Sequence, residues 1–150
     1  KATSTIRVGA RRHASENAMP IEISYTGSGI YRKFSGHIDF VDVFQANGEV
    51  WSHPEWDGFV YMIDDLRDIS TASFSRNDAD VTGRMHIPAG ATNSGLMVAA
   101  VCTNPRILSL LEVFDPLLKK AGWEFRVCAT PDEAFEWVGS GRHGRNATRT

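Results

Sequence analysis

The residues best suited to chemistry follow an apolar segment at residues 59–63. Two adjacent carboxylates, Asp64 and Asp65, come directly after it, and hydroxyl side chains are frequent at residues 70–75. Two carboxylates are a suitable ligand set for a hard cation such as Mg²⁺. Neighbouring residues of a strand point to opposite faces of a sheet, so these two side chains can converge only if the strand ends before them.

Other patterns that would indicate metal binding or catalysis are missing from the sequence. The histidines are His13, His37, His53, His86 and His143. None of them has the i, i+4 spacing to a second histidine or a cysteine that a helix-borne zinc site needs. The Gly-x-Ser-x-Gly turn of hydrolases and the Lys-Ser/Thr of a phosphate-binding loop are also missing. We therefore predict no metal ion and no cofactor. Catalysis is less favoured than binding of a partner protein or binding of a small apolar ligand.

Composition indicates an ordinary globular domain. The chain has 150 residues, 42% hydrophobic and 23% charged, and a domain of that size buries enough surface to fold without a metal or a disulfide. Cys102 and Cys128 each close an apolar run, so we expect reduced thiols in the core.

No apolar run approaches the roughly 20 residues of a membrane-spanning helix. No signal-peptide pattern is visible, so we expect a cytoplasmic protein.

Charge divides the chain into three parts. Residues 1–18 and 139–150 together carry a net charge of +6, whereas residues 19–138 carry −8. An acidic body does not attract phosphate backbones, so we predict no nucleic-acid partner. Regular patterning begins just after Met19, so residues 1–18 are predicted to be a basic extension outside the fold that need not be native. Residues 139–150 are predicted to be a basic flexible tail, which leaves 19–138 as the domain.

Hydrophobic periodicity predicts an α/β fold. Ile21, Ile23 and Tyr25 alternate with polar residues, as in a half-buried strand, whereas two later runs are continuously apolar, as in buried parallel strands. The predicted order is β-β-α-β-α-β-α-β-α, with strands at 21–25, 30–35, 59–63, 96–101 and 123–127 and helices at 39–51, 76–87, 104–122 and 130–138. A hairpin followed by three strand–helix units gives a mixed β-sheet with helices packed on it.

Local signals set the predicted helix ends. The predicted N-caps are Asp39, Ser75, Asn104 and Thr130. Pro88 and Gly90 are expected to end the second helix. Pro116 lies inside the third helix and predicts either a kink or a restart that Asp115 would cap.

The carboxyl ends of parallel strands form the ligand-binding edge of open α/β sheets. We therefore predict a ligand- or partner-binding site there. Its predicted residues are Asp64, Asp65, Asp68, Ser70, Thr71, Ser73, Ser75, Asn104 and Thr130. Three helices begin at this edge and would direct backbone N–H groups into it, which favours an anion. The alternative is that Ser75, Asn104 and Thr130 are ordinary helix caps.

Aromatic residues are concentrated on and after the first predicted helix. Phe40, Phe44 and Trp51 would lie on it, with Val43, facing the core. A second interpretation is that Phe40, Phe44 and Trp51 line an apolar cleft for a small ligand. A third is that this helix presents an apolar face for homodimerisation.

Three patches of the sequence resemble a known family. Residues 62–69, the strand at 96–101 and the closing segment at 123–138 look like the small bacterial SpoIIAA-like proteins. These proteins are grouped with the STAS anti-sigma-factor antagonists and the SEC14 lipid-transfer fold. The resemblance covers about residues 20–138 and implies a mixed sheet with packed helices and no established chemistry for most members.

The antagonist subset of that family carries a phosphorylated serine at the start of the helix after the third strand. Residues 70–75 stand in that region and offer hydroxyls, but the Asp-Ser-Ser/Gly signature of the subset is absent. That departure weakens the case for a phosphorylation switch.

Three functional hypotheses follow. The first is a non-enzymatic SpoIIAA/STAS-like protein-interaction or regulatory module that acts through the edge after the third strand. The second is a carrier or binder of a small apolar or lipid-like ligand. The third is an enzyme, which would require a pH-dependent activity that is lost when Asp65 is replaced by Asn.

Overall fold

Six strands form one sheet whose strand order follows the order of the chain. In the computed structural model, residues 3–9 and 20–147 are described, with side chains as far as residue 141. The strands are β1 Ser4–Val8, β2 Ile21–Thr26, β3 Gly29–Asp39, β4 Tyr61–Ser73, β5 Met97–Val101 and β6 Glu124–Cys128. The pairs β1–β2 and β2–β3 are antiparallel, whereas β3 to β6 run parallel to one another. The predicted α/β class with a mixed sheet is confirmed.

Three helices cover one face of the sheet and a fourth covers the other. The helices are α1 Phe40–Trp51, α2 Arg76–Thr92, α3 Pro105–Lys120 and α4 Pro131–Ala147, with a short 3₁₀ turn at Trp56–Gly58. The connections through α1, α2 and α3 all advance in the same direction across the sheet, and right-handed crossovers then place all three on one face. Residues of these helices join the larger buried cluster, whereas Ala134 and Val138 of α4 join a separate one on the opposite face.

Strand β1 was not predicted. It lies within residues 1–18, which were expected to lie outside the fold, so that expectation was wrong for Ser4–Val8. The strand pairs antiparallel with β2, placing Ile6 opposite Ile23 and Val8 opposite Ile21, and Val8 is buried. A five-residue strand with only two apolar side chains has too little alternation of apolar and polar residues to be detected, and basic residues lie around it. Met19 lies outside the described residues.

Strand β4 is much longer than the five-residue segment predicted for it. It continues to Ser73 because β3 also continues, to Asp39, and the two strands stay paired to those ends. The register shifts twice, and Gly36 lies between the shifted positions with a φ of 69°, a conformation that glycine adopts without strain. Residues 64–73, which follow the predicted strand at 59–63, are therefore part of the sheet.

The helices differ from prediction mainly at their prolines. Helix α2 continues through Pro88 to Thr92, and α3 runs through Pro116 without a restart. A proline removes one hydrogen bond, and tertiary packing offsets that loss here because Ala89 is buried and Gly90 lies against Ala121 of α3. Asp115 is not a cap.

Further differences concern which residues the helices bury and how far they extend. Helix α1 buries Ala46 and Val50 rather than Phe44, which is 49% exposed. Helix α4 extends to Ala147, inside the segment predicted as a tail.

Cys102 and Cys128 are buried and free, as expected. Among the described residues, no helix is long and apolar enough to cross a membrane.

We expect Gly90→Ala to lower the free energy of unfolding by about 1–3 kcal/mol, because a β-carbon there would collide with the backbone of Ala121. Gly48→Ala is the matched control, since a β-carbon at Gly48 of α1 meets open space. It should raise the free energy of unfolding by up to about 1 kcal/mol through helix propensity. Urea unfolding of both variants measures the difference, and equal effects would contradict the close approach of α2 and α3.

Candidate functional site

Asp64 belongs to a buried charged network on the three-helix face. Arg32 of β3 donates from Nε to Asp64 Oδ1 at 2.7 Å and from Nη2 to Oδ2 at 2.8 Å, and its Nη1 donates to Asn47 Oδ1 of α1 at 2.7 Å. The side chains of Arg32 and Asp64 are 4% and 15% exposed. The parallel register places the two residues directly opposite each other. The carboxylate is thus already neutralised by a bidentate partner.

Asp65 lies on the opposite face of the same strand. Tyr31 donates its hydroxyl to Asp65 Oδ2 at 2.6 Å, and the Arg67 guanidinium donates to both carboxylate oxygens, from Nε at 2.9 Å and from Nη2 at 2.8 Å. The hydrogen bonds from Arg67 contribute most to lowering the pKa of Asp65 to about 2. Burial, together with the hydrogen bond to Asp65, raises the pKa of Tyr31.

The two carboxylates therefore cannot bind one cation together. Strand β4 continues past both, so they point away from each other, which is the arrangement that argued against a joint Mg²⁺ site. In the described part of the chain, His, Cys, Asp and Glu form no group of three or more that could hold a metal ion.

An open groove of about 440 Å³ lies between the carboxyl end of β4 and the first turns of α2 and α3. Of the predicted site residues, Ser70, Thr71 and Asn104 line it. Arg76 and Arg106 also line it and were not predicted. The groove is therefore basic and rich in hydroxyl and amide groups, whereas an acidic edge had been expected.

A signal for the two arginines was present in the sequence. Arg76 is the first residue of α2 and Arg106 the second residue of α3, and both N-caps had been predicted. A positive side chain at a helix N-terminus opposes the helix dipole and is unfavourable by itself. Two such residues at neighbouring helix starts are a reason to look for an anionic group between them.

The remaining predicted residues lie apart from the groove lining. Asp68 pairs with Lys33 at 3.3 Å on the exposed sheet surface. Ser73 is exposed at the end of β4. Ser75 caps α2 in a capping box with Asp78, and Thr130 accepts a bond from the backbone N–H of Glu133 at the start of α4. For Ser75 and Thr130, the interpretation as ordinary caps fits this placement. It also fits Asn104, which lines the groove and caps α3 by accepting from the Arg106 backbone N–H at 2.9 Å.

A cavity of about 100 Å³ lies beneath α1, α2 and α3, against the middle of the sheet. Its walls are mostly apolar, with Met62, Val98 and Ala100 from the sheet and Leu118 among the residues from α3. The polar residues that line it are Arg32, Asn47, Asp64, Thr82 and His86. Five residues line both the cavity and the groove: Ile69, Ala72, Phe74, Ile107 and Leu110. The cavity and the groove are therefore neighbours that share one wall.

Phe40, Phe44 and Trp51, the predicted cleft residues, do not line this cavity in the described structure. Val43 and Asn47 are the α1 residues in its wall, whereas Phe44 is on the outer face of the helix. Phe40 stacks on Phe74 with ring centroids 6.4 Å apart. Trp51 meets His86 edge-on at 5.1 Å. Helix α1 is therefore rotated about its axis by part of a turn relative to the prediction, so a different face is directed toward the sheet.

His86 is a buried imidazole in the cavity wall. Its Nδ1 lies 2.7 Å from the carbonyl oxygen of Thr82. Trp51, Phe114 and Trp123 pack against the ring edge-to-face. Burial among these groups lowers the pKa of His86 to about 4, so the ring is neutral at physiological pH.

Comparison with solved structures identifies the fold. The anti-sigma factor antagonist SpoIIAA in its unphosphorylated form matches with a TM-score of 0.53 and 12% identity, over 79% of this chain and 96% of that one. An uncharacterised DUF3478-family protein with a SpoIIAA-like fold from Shewanella loihica PV-4 matches with a TM-score of 0.50 and 16% identity, over 79% and 91%. The chain has the SpoIIAA-like fold, which confirms the resemblance stated from the sequence.

Sequence comparison adds no closer relationship. No protein-family model matches the chain, and no curated protein matches it significantly.

We expect Asp64→Ala to lower the free energy of unfolding by about 3–5 kcal/mol, because it leaves the Arg32 guanidinium buried without its partner. The control is Asp115→Ala, which breaks an exposed ion pair with Lys119 and should cost less than about 1 kcal/mol. The measurement is urea unfolding of both variants. A small loss for Asp64→Ala would mean that the pair is not buried in solution.

The neutral state of His86 predicts a pH dependence of stability. Below pH 6.5 the unfolded chain binds a proton at this residue that the folded chain does not bind until about pH 4. The free energy of unfolding should therefore decrease as the pH is lowered from 6.5 to about 4, and below that pH this residue should cause no further decrease. Nuclear magnetic resonance of the ring should show a midpoint near 4, and a His86→Phe variant should lose this part of the pH dependence. A midpoint near 6.5 would contradict the burial.

Proposed function

We propose that the chain is a non-enzymatic SpoIIAA/STAS-like interaction or regulatory module that binds a partner protein at the groove between β4, α2 and α3. The observation that carries this proposal is that polar groups gather there, some of them held in place by neighbours, as Thr71 is by His37 and Arg76 by Ser109. Ser70, Thr71 and Asn104 lie in one groove with Arg76 and Arg106. Asp64 and Asp65 are engaged in ion pairs elsewhere. SpoIIAA, which shares the fold, is described as an anti-sigma factor antagonist.

Charge indicates the chemistry of the partner segment. The two arginines and the first-turn N–H groups of α2 and α3 all favour a negative group. Apolar residues of the shared wall, such as Phe74 and Leu110, supply a surface for an adjacent apolar side chain. The partner segment we propose is therefore acidic and carries at least one apolar residue.

The test places a photo-crosslinking amino acid at Ser70, in the groove, and separately at Glu124, on the far edge strand. The partner should be captured from the native host by the Ser70 variant and not by the Glu124 variant. Affinity for the purified partner is then measured by calorimetry for the unmodified chain, Arg106→Ala and Arg84→Ala.

We expect Arg106→Ala to weaken binding at least tenfold, because an arginine–carboxylate contact in an interface is worth about 1.5–3 kcal/mol. Arg84→Ala is the control, since Arg84 is an exposed arginine on α2 that pairs with Asp80 outside the groove. It should leave the affinity unchanged. Equal affinities for both variants and the unmodified chain would refute the groove as the partner site.

A second candidate function is the binding of a small apolar ligand. The observation that favours it is the apolar cavity beneath α1, α2 and α3. The two functions are compatible, because the cavity and the groove share a wall. Homodimerisation through the exposed residues Val41 and Phe44 of α1 stays a prediction, and native mass spectrometry tests it.

A further inference from the structure

Two polar groups on one face of α2 interrupt the apolar wall of the cavity. Thr82 is only 1% exposed, and its hydroxyl has no hydrogen-bond partner within the described structure. His86 follows one helical turn later and is also buried. Both residues line the cavity. A buried hydroxyl without a partner is unfavourable, so it is a feature that requires an explanation.

The hydrogen-bonding role of each nitrogen of His86 follows from its surroundings. The carbonyl oxygen of Thr82 can only accept, so the Nδ1 atom 2.7 Å away carries the proton. In a neutral ring the other nitrogen, Nε2, is then an acceptor. Within the described residues, the hydrogen-bond partners of the ring are backbone groups of Thr82 and Gly83, and no side chain bonds to it. The ring therefore offers a lone pair, and the Thr82 hydroxyl offers a donor or an acceptor.

The charged groups of the cavity are already satisfied. Arg32 is matched by Asp64 and Asn47 through three short hydrogen bonds. A ligand carrying a net charge would have no free partner of opposite sign and would pay the full cost of desolvation. A neutral ligand avoids this cost and gains from the apolar walls.

Size limits the ligand further. Hydrocarbon-lined cavities of roughly 150 Å³ hold benzene, and this cavity is about 100 Å³. The cavity is partly open, so one edge of a ring can extend beyond it. The upper limit is therefore a molecule of about the size of phenol.

We infer that the cavity is a binding site for a small, uncharged, largely apolar alcohol or phenol, whose hydroxyl donates to His86 Nε2 and accepts from the Thr82 hydroxyl. A single hydroxyl group both donates and accepts, so it satisfies both protein groups at once. The hydrocarbon part occupies the space between α3 and the sheet. This inference rests on the second candidate function and specifies its ligand class.

Phenol and toluene are the probes, because they have nearly the same shape and differ in the hydroxyl. Binding to the full chain is measured by calorimetry and by tryptophan fluorescence, since Trp51 and Trp123 both touch His86. Phenol should bind about fivefold more tightly than toluene, because its two hydrogen bonds to the protein replace those that it makes with water and leave only a small net gain. Benzoate, the charged probe, should bind more weakly than either.

Thr82→Val tests the polar end of the site. It keeps the shape of the side chain and removes a hydroxyl that has no partner, so the protein should fold with undiminished stability. Toluene affinity should be unchanged, and the preference for phenol should fall to about twofold or less. The matched control is Thr92→Val, because the Thr92 hydroxyl accepts from Trp56 Nε1 at 2.9 Å. It should lose stability and keep the phenol preference.

Ala100→Leu tests the cavity from the sheet side by filling it, and it should abolish binding of both probes. Equal affinity for phenol and toluene, or tight binding of benzoate, would overturn the proposed ligand class. Absence of probe binding, or binding that survives Ala100→Leu, would overturn the site itself and leave water as its occupant. Arg106→Ala should not change probe affinity, so failure here is distinguishable from failure of the partner groove.

Discussion

The long parallel pairing of β3 with β4 is the constraint on which the rest of the structure depends. Its register places Arg32 opposite Asp64 and so allows a bidentate ion pair to be buried beneath α1. The same pairing continues to Asp39 and Ser73, the residues just before α1 and the turn into α2. It therefore fixes where both helices start and provides the strand that forms the floor of the groove. Loss of this register would separate the ion pair and the groove together.

The alternation of side chains along β4 divides the chemistry of the molecule between two faces. Asp64 faces the cavity and is neutralised by Arg32, whereas Asp65 faces the other side and is held by Tyr31 and Arg67. Neither carboxylate is free to act on a ligand by itself. The other polar groups of this region are the hydroxyl and imidazole on α2 inside the cavity, and the arginines and hydroxyls at its mouth, where Arg76 also bonds to Ser109.

Much of the fold could be predicted because its signals are local. The hairpin at residues 21–35, the buried runs of β4 and β5 and the caps Asp39, Ser75 and Asn104 depend on neighbouring residues only. The length of β4, the continuation of α2 through Pro88 and the strand β1 depend on pairing and packing with distant parts of the chain. The cavity was missed for the same reason: Thr82 and His86 are nine or more residues from β4 and β5, and only the crossover of α2 brings them there.

The agreement between strand order and chain order has a consequence for folding kinetics. Each strand pairs with the one that precedes it, so no strand has to enter between two others that have already paired. The sheet can therefore grow by addition at its edges, but each parallel pair must first close the strand–helix connection between its two strands, which slows folding. Strand β1 contacts the sheet only through β2. Its release would therefore be a local opening, exposing the edge of β2 while β3 to β6 stay assembled.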